Sequence, residues 1–142
     1  MMCFAARIAL RACTFLVLGA TLGITAGEAL AIQVGDTFPA YMLTDLGGKA
    51  HNLGAQRGYV LLLHFVGTTA EVCVEPGREL EDHFFQTYHG RGLRVFGIDC
   101  WNGATSDVEK FRDAVGATYP MLQGGRSLAE ETELAYNSFV VV

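Results

Sequence analysis

Apolar runs alternate with amphipathic segments along most of the chain. The run from Tyr59 to Phe65 is almost continuously apolar, and so is the run from Leu93 to Asp99. Such runs predict strands that are covered on both faces, as in a parallel sheet. Tyr119 to Leu122 and Phe139 to Val142 predict two further short strands. A turn-rich segment, Gln33 to Gly58, precedes the first long strand.

Three motifs between these strands predict helix starts. In each, a serine or threonine is followed three residues later by glutamate, which is the pattern of a capping box. Because strands and helices alternate, we expect right-handed crossovers and an α/β fold with a largely parallel sheet. The motifs begin at Thr68, Ser106 and Ser127, and the predicted helices end near Tyr88, Gly116 and Tyr136.

Residues 1–31 have the pattern of a cleavable secretory signal peptide. Arg7 and Arg11 give a basic start, Ala12 to Ala26 is apolar, and Ala29-Leu-Ala31 matches the small-x-small cleavage pattern. A retained membrane anchor is the weaker alternative, because the apolar run is short of the ~20 residues that a spanning helix needs. We expect cleavage after Ala31 and export to the periplasm or cell exterior, which leaves one domain over residues 32–142.

The processed domain is acidic and keeps two cysteines. Residues 32–142 carry eight basic and fourteen acidic side chains, a net charge of −6, which argues against nucleic acid or an anionic membrane as partners. In an oxidising compartment Cys73 and Cys100 could form a disulfide, and two inert buried thiols are the alternative. The histidines are too scattered to indicate a metal site, and we expect no cofactor.

Cys73 follows the strand Tyr59 to Phe65 at a predicted helix start. Backbone N–H groups and the positive end of a helix dipole stabilise a thiolate there, so we expect the pKa of Cys73 to lie below that of a free cysteine. A Cys-x-x-Cys site would have another cysteine three residues earlier. That position is Ala70, so the pattern indicates a redox site that lacks one of its two sulfurs.

Four segments carry a family resemblance: Val34 to Lys49, Arg57 to Phe65, Phe96 to Asp99, and Tyr119 to Leu122. They resemble the redoxin superfamily, which includes alkyl hydroperoxide reductase/thiol-specific antioxidant (AhpC/TSA) proteins and secreted thioredoxin-like thiol-disulfide oxidoreductases. The resemblance implies a thioredoxin-like fold with helices on both faces of the sheet. Family members continue past the strand that matches Phe139 to Val142, with a further strand and a helix. The domain is therefore expected to be incomplete at its C-terminus and to self-associate through an exposed final strand.

The two branches of the family place their reactive cysteines differently. The thioredoxin-like motif Phe-Trp-Ala-x-Trp-Cys-x-x-Cys falls on residues 65–73, with Ala70 in place of the attacking cysteine. The peroxiredoxin motif Pro-x-x-x-Thr-x-x-Cys places its cysteine at Cys73, with Val66 and Ala70 in place of the proline and threonine. Asn137 falls where the first branch has a cis-proline and the second an arginine.

These patterns predict an atypical thiol-disulfide oxidoreductase that acts on thiol or disulfide proteins. Cys73 would be the redox thiol, Cys100 its partner, and His64 the proton acceptor, because an imidazole titrates near physiological pH. Cys100 as a small apolar core residue and His64 as a core histidine remain the alternatives. Two other functions stay open: a one-cysteine thiol peroxidase that reduces a hydroperoxide, and a catalytically degenerate domain that serves as a binding module.

Overall fold

A computed structural model describes residues 31–142, in which six strands form one mixed sheet. The strands are β1 (Met42–Asp45), β2 (Ala50–Asn52), β3 (Val60–Val66), β4 (Leu93–Asp99), β5 (Met121–Gln123) and β6 (Ser138–Val141). Their spatial order is β2-β1-β5-β4-β3-β6. The predicted apolar runs form the parallel centre β3-β4-β5, while β1 and β6 run antiparallel to their neighbours.

Helices connect the central strands, as the alternating pattern predicts. They are α1 (Val74–Glu79), α2 (Gln86–Tyr88), α3 (Thr105–Val115) and α4 (Arg126–Thr132). A 3-10 turn, Glu71–Cys73, precedes α1, and π-helical turns, Leu80–Phe85, join α1 to α2. The first predicted helix therefore does reach Tyr88. Gly116 ends α3 with a φ of 71°, which glycine adopts without strain.

The three predicted capping boxes are wrong. The N-cap residues are Ala70, Ala104 and Gly125, and none of them makes a side-chain cap hydrogen bond. Ser106 and Ser127 lie inside the first turns of α3 and α4 instead. The third helix is also shorter than predicted: it ends at Thr132, and the next residue has left-handed backbone geometry. Burial of the helices' apolar faces, rather than capping, therefore fixes these elements.

Two apolar clusters cover the two faces of the sheet. Successive side chains of a strand point to opposite faces, so β3 contributes to both clusters. Leu63 and Phe65 pack with Leu128 of α4 on one face. Val66 packs with Phe111 of α3 on the other face, where α1 also lies. A side chain at the carboxyl end of β3 or β4 therefore packs in one of these two clusters, depending on the face of the sheet to which it points.

The predicted signal peptide, residues 1–31, falls outside the described residues except for Ala31. Among residues 31–142, no helix has both the length and the apolar character to cross a membrane.

A buried carboxylate joins the first helical segment to the loop after α3. Glu81 is only 4% exposed, and its oxygens accept hydrogen bonds from the Thr118 amide (2.8 Å), the Thr118 hydroxyl (2.7 Å) and the Gln86 side chain (2.5 Å). Burial alone would raise the pKa of Glu81. The hydrogen-bond donors together lower it by more than burial raises it, so the pKa lies below its ordinary value. The ionised carboxylate therefore stabilises the fold.

We expect Glu81→Gln to lower the free energy of unfolding at pH 7 by about 1.5 to 3 kcal/mol, because an amide replaces a charged acceptor of three bonds. Since the folded-state pKa lies below the unfolded one, this contribution is complete above the unfolded pKa of about 4.3 and is lost as pH falls through the folded pKa. Urea unfolding of both proteins at pH 7 and at pH 3 measures the difference. The exposed Glu109→Gln in α3 is the control, and an equal loss there would contradict the assignment.

Candidate functional site

Cys73 lies at the carboxyl edge of the sheet, between β3 and α1. Its side chain is completely buried, in the apolar cluster that contains Val66 and Leu80. The Cys73 amide donates to the Ala70 carbonyl at 3.0 Å, so residues 70 and 73 close one tight turn. The turn holds position 70 close to the Cys73 sulfur, and that position carries only a methyl group.

Burial raises the pKa of the Cys73 thiol above its ordinary value. The backbone groups of Gly67 and Asn137 lie near the sulfur and lower the pKa by a smaller amount. The prediction of a lowered pKa is therefore wrong. The dipoles at the helix start favour the thiolate, but the removal of water from the sulfur has the larger effect on its pKa.

His64 is a completely buried residue of β3, and its ring stacks on Phe139 of β6 with 4.3 Å between ring centroids and 11° between ring planes. Neither ring nitrogen has a hydrogen-bond partner among the described residues. Burial lowers the pKa of His64 to about 4, and the nearby Asn137 carboxamide opposes that shift only in part. The imidazole is therefore neutral at physiological pH.

Asn137 connects these two groups. Its backbone N–H donates to the Phe65 carbonyl at 2.6 Å and also faces the Cys73 sulfur, while its side chain lies beside His64. Its carboxamide oxygen is buried and has no partner among the described residues. The residue has a φ of 61°, a left-handed conformation that asparagine tolerates better than most residues. The family motifs point to Asn137 only as the replacement of a proline or an arginine. Its proximity to Cys73 and His64 becomes evident only with the fold.

Cys100 follows β4 on the opposite face of the sheet. Its thiol donates to the Val66 carbonyl at 3.1 Å, and it packs in the cluster beneath α4. Burial raises the pKa of Cys100 to about 11, with a further contribution from the Asp99 carboxylate. Both cysteines are free. The Cys73–Cys100 disulfide considered from the sequence is not formed, and the two thiols lie in different apolar clusters of the sheet.

An aromatic pair covers the loop above Cys73. The Trp101 ring lies over Gly67 and contacts Tyr136 edge to face, with 5.0 Å between ring centroids. A Cβ atom at Gly67 would lie 2.7 Å from the Trp101 ring, so glycine is needed for this approach. The Asp99 carboxylate accepts hydrogen bonds from the Trp101 amide (3.2 Å) and the Gly103 amide (2.7 Å), which fixes the loop that carries the ring.

The site therefore combines one buried thiol, two backbone amide donors and a neutral imidazole. The amide donors can stabilise a thiolate on Cys73, and the lone pair of His64 can accept a proton. No second sulfur lies within the turn, because residue 70 is alanine. The chemistry that this arrangement allows is the reaction of a single thiol.

Comparisons with known proteins identify the family of this chain. The profile of the AhpC/TSA family matches residues 34–137. The thiol-disulfide oxidoreductase ResA of Geobacillus kaustophilus is 32% identical over 121 residues, which cover 82% of this chain and 68% of that protein.

Solved structures show the same fold. A putative protein disulfide isomerase from Bacteroides thetaiotaomicron superposes with a TM-score of 0.71 at 22% identity, over 78% of this chain and 72% of that one. The thioredoxin domain of a thiol-disulfide oxidoreductase from Bacteroides vulgatus gives 0.71 at 15% identity, over 79% and 82% of the two chains. The predicted thioredoxin-like α/β fold is confirmed, and the chain belongs to the AhpC/TSA family.

Proposed function

We propose that this protein is an exported thiol-disulfide oxidoreductase that uses Cys73 as its only redox thiol. The observation that carries the proposal is the position of Asn137, whose backbone lies near the Cys73 sulfur and whose side chain lies near the neutral imidazole of His64. Membership of the AhpC/TSA family and the similarity to a thiol-disulfide oxidoreductase support the same reaction class. The substrates would be proteins that carry thiols or disulfides.

The proposed reaction proceeds in two exchanges. Cys73 gives its proton to His64, and the thiolate attacks one sulfur of a substrate disulfide. A mixed disulfide forms on Cys73 as the substrate disulfide breaks, and the other substrate sulfur leaves as a thiolate that takes up the proton. Because residue 70 is alanine, a thiol from outside the chain must attack the substrate sulfur of the mixed disulfide. A new disulfide then forms between that thiol and the substrate, and Cys73 leaves as a thiolate that takes up the proton of the attacking thiol.

His64 acts as a relay rather than as the final proton acceptor in this proposal. Its pKa of about 4 means that the imidazole cannot retain a proton at neutral pH. The proton passes on to the leaving thiolate or to solvent. Cys100 takes no part in the exchange, since it lies beneath α4 and its thiol donates to the Val66 carbonyl.

Cys73 must become accessible before it can react. The segment that leads into β6 is the element proposed to move, because the Asn137 backbone lies near the sulfur. Outward movement of this segment would hydrate the sulfur. That movement would reduce the main cause of its raised pKa while leaving the Gly67 amide in place.

Export is proposed from the sequence of residues 1–31. The basic start, the apolar stretch and the small residues at 29 and 31 support cleavage after Ala31. An extracytoplasmic location would also supply the oxidised thiols that the proposed reaction needs.

We expect incubation with glutathione disulfide to add one glutathionyl group to the protein, and peptide mapping by mass spectrometry to locate it on Cys73. Cys100→Ser should react at the wild-type rate, because that side chain is outside the site. Cys73→Ser should remain unmodified. Modification of Cys100 instead, or no modification of native protein over many hours, would contradict the proposal.

A catalytically degenerate binding module is the second candidate. Two observations favour it: Ala70 replaces a sulfur, and both remaining thiols are buried with raised pKa values. The peroxidase alternative has no comparable support, because Ala70 and Asn137 stand where the peroxiredoxin motif has the threonine and the arginine that would donate to a bound hydroperoxide.

Restoring the missing sulfur distinguishes an active scaffold from a degenerate one. We expect Ala70→Cys to raise the rate of insulin reduction with dithiothreitol as donor several-fold, because residues 70 and 73 already close one turn and their sulfurs could form a disulfide. Val72→Cys adds an exposed thiol in the same turn at the wrong spacing, and it should give no comparable gain. A folded Ala70→Cys protein no faster than this control would favour the binding module.

A further inference from the structure

A cavity of about 320 Å³ lies beside the amino half of β4, at the opposite end of the parallel strands from Cys73. β5 pairs with β4 only at Gly97 and Ile98. Pro120 precedes β5, and a proline has no N–H with which to continue the ladder toward the amino end. The part of β4 from Leu93 to Phe96 therefore has β3 on one side and this cavity on the other.

The interior of the cavity is apolar. Val95 and Phe96 of β4 line it and are 1% and 4% exposed. Phe85, from the π-helical turns, lines it as well, and Leu93 and Pro120 complete the apolar lining. A hydrated inorganic ion would lose water there without enough donors to replace it, whereas an apolar group is stabilised by leaving water. The lining therefore suits a ligand with an apolar body.

Four basic residues line the same cavity, and no acidic residue of the described chain does. They are Lys49 and His51 of the β1–β2 hairpin, His89 after α2, and Arg94 of β4. Residues 32–142 carry a net charge of −6, so this concentration of basic groups runs against the overall charge of the domain. The polar part of a matching ligand is therefore an anionic group.

Two histidine–phenylalanine pairs bring the polar and apolar parts of the cavity together. The His51 ring meets the Phe96 ring edge to face, with 5.3 Å between ring centroids, and the His89 ring stacks on Phe85, with 4.9 Å between centroids. His51 Nε2 bonds to the Asp45 carboxylate at 2.7 Å, and His89 Nδ1 donates to the Phe85 carbonyl at 2.7 Å. Each imidazole is therefore held in place beside an aromatic ring of the lining.

Lys49 carries the positive charge that is most available to an anion. Its side chain is exposed, and its ammonium group makes no ion pair with any described residue. Arg94 adds a permanent charge, but its guanidinium lies 3.5 Å from the centre of the Tyr59 ring and donates to the Gln56 side chain. Lys49 is therefore the residue expected to contact the anionic group.

We propose that this cavity binds a small aromatic carboxylate, with its ring against Phe85 and Phe96 and its carboxylate at the Lys49 ammonium. Aromatic rings favour edge-to-face and offset contacts with one another, which selects an aromatic body over an aliphatic one. The volume of about 320 Å³ is at the small end of the range of ligand pockets, which suits a single ring. Binding here would not involve Cys73 or His64, because neither lines the cavity.

An NMR titration of ¹⁵N-labelled protein, expressed from the full 142-residue sequence, with phenylacetate tests the proposal. We expect the amide signals of Lys49, Arg94 and Phe96 to shift and saturate with a Kd of about 1 mM or below. Acetate and inorganic phosphate lack the ring, and 2-phenylethanol lacks the charge, so each should bind about tenfold more weakly or worse. Shifts confined to other parts of the chain, or phosphate that binds as tightly as phenylacetate, would overturn the proposal.

A matched pair of lysine variants tests the role of the charge. Lys49→Met keeps an unbranched apolar side chain and should weaken phenylacetate binding about tenfold or more, because a charge-assisted contact is lost. Lys110→Met is the control, because that lysine pairs with Asp107 in α3 and does not line the cavity. Wild-type affinity in a folded Lys49→Met protein, or an equal loss in both variants, would contradict the assignment.

The same ligand chemistry occurs on a free aromatic acid and on the C-terminal phenylalanine of a peptide. N-acetyl-Gly-Phe presents the ring and the carboxylate as a peptide terminus does, and its titration distinguishes the two sources. Tighter binding than phenylacetate would assign the cavity to peptide C-termini, whereas equal or weaker binding would assign it to a free acid. Failure of both probes to bind would overturn the proposal and would leave the reaction proposed for Cys73 untouched.

Discussion

The hydrogen bond from the Asn137 amide to the Phe65 carbonyl, 2.6 Å long, is the contact on which the site depends. It fixes the start of β6 against the carboxyl end of β3, where His64 and Cys73 lie. The same N–H faces the Cys73 sulfur, and the same residue's side chain lies beside the imidazole. One backbone contact therefore both assembles the site and closes it to solvent.

Closure sets the chemistry of the resting protein. Burial of the Cys73 sulfur raises its pKa more than the amide donors of Gly67 and Asn137 lower it. The same lack of water lowers the pKa of His64 to about 4. Both groups are thus held in their neutral forms, and in the proposed reaction the thiolate forms only when the segment that leads into β6 moves. A thiol of this kind is protected until a substrate or a fluctuation opens the site.

The sequence predicted the sheet better than the site, for a physical reason. The apolar runs of β3 and β4 are long, and burial on both faces leaves little choice of structure for them. The capping motifs at Ser106 and Ser127 are short local patterns, and they failed because packing placed the helix starts elsewhere. The pKa of Cys73 depends on Asn137, which is distant along the chain, and no local pattern carries that information. Cys73 and Cys100 lie in different apolar clusters, which becomes evident only with the fold.

Thiol labelling under native conditions tests most directly whether Cys73 reacts through local opening at the start of β6. The labelling rates of Cys73 in Cys100→Ala and of Cys100 in Cys73→Ala are measured as a function of urea below the unfolding transition. Opening that exposes little surface depends weakly on urea, whereas global unfolding depends on it strongly. We expect the labelling rate of Cys73 to depend weakly on urea and that of Cys100, which lies beneath α4, to depend on it more steeply. Equal opening free energies and equal urea slopes for both thiols would contradict it.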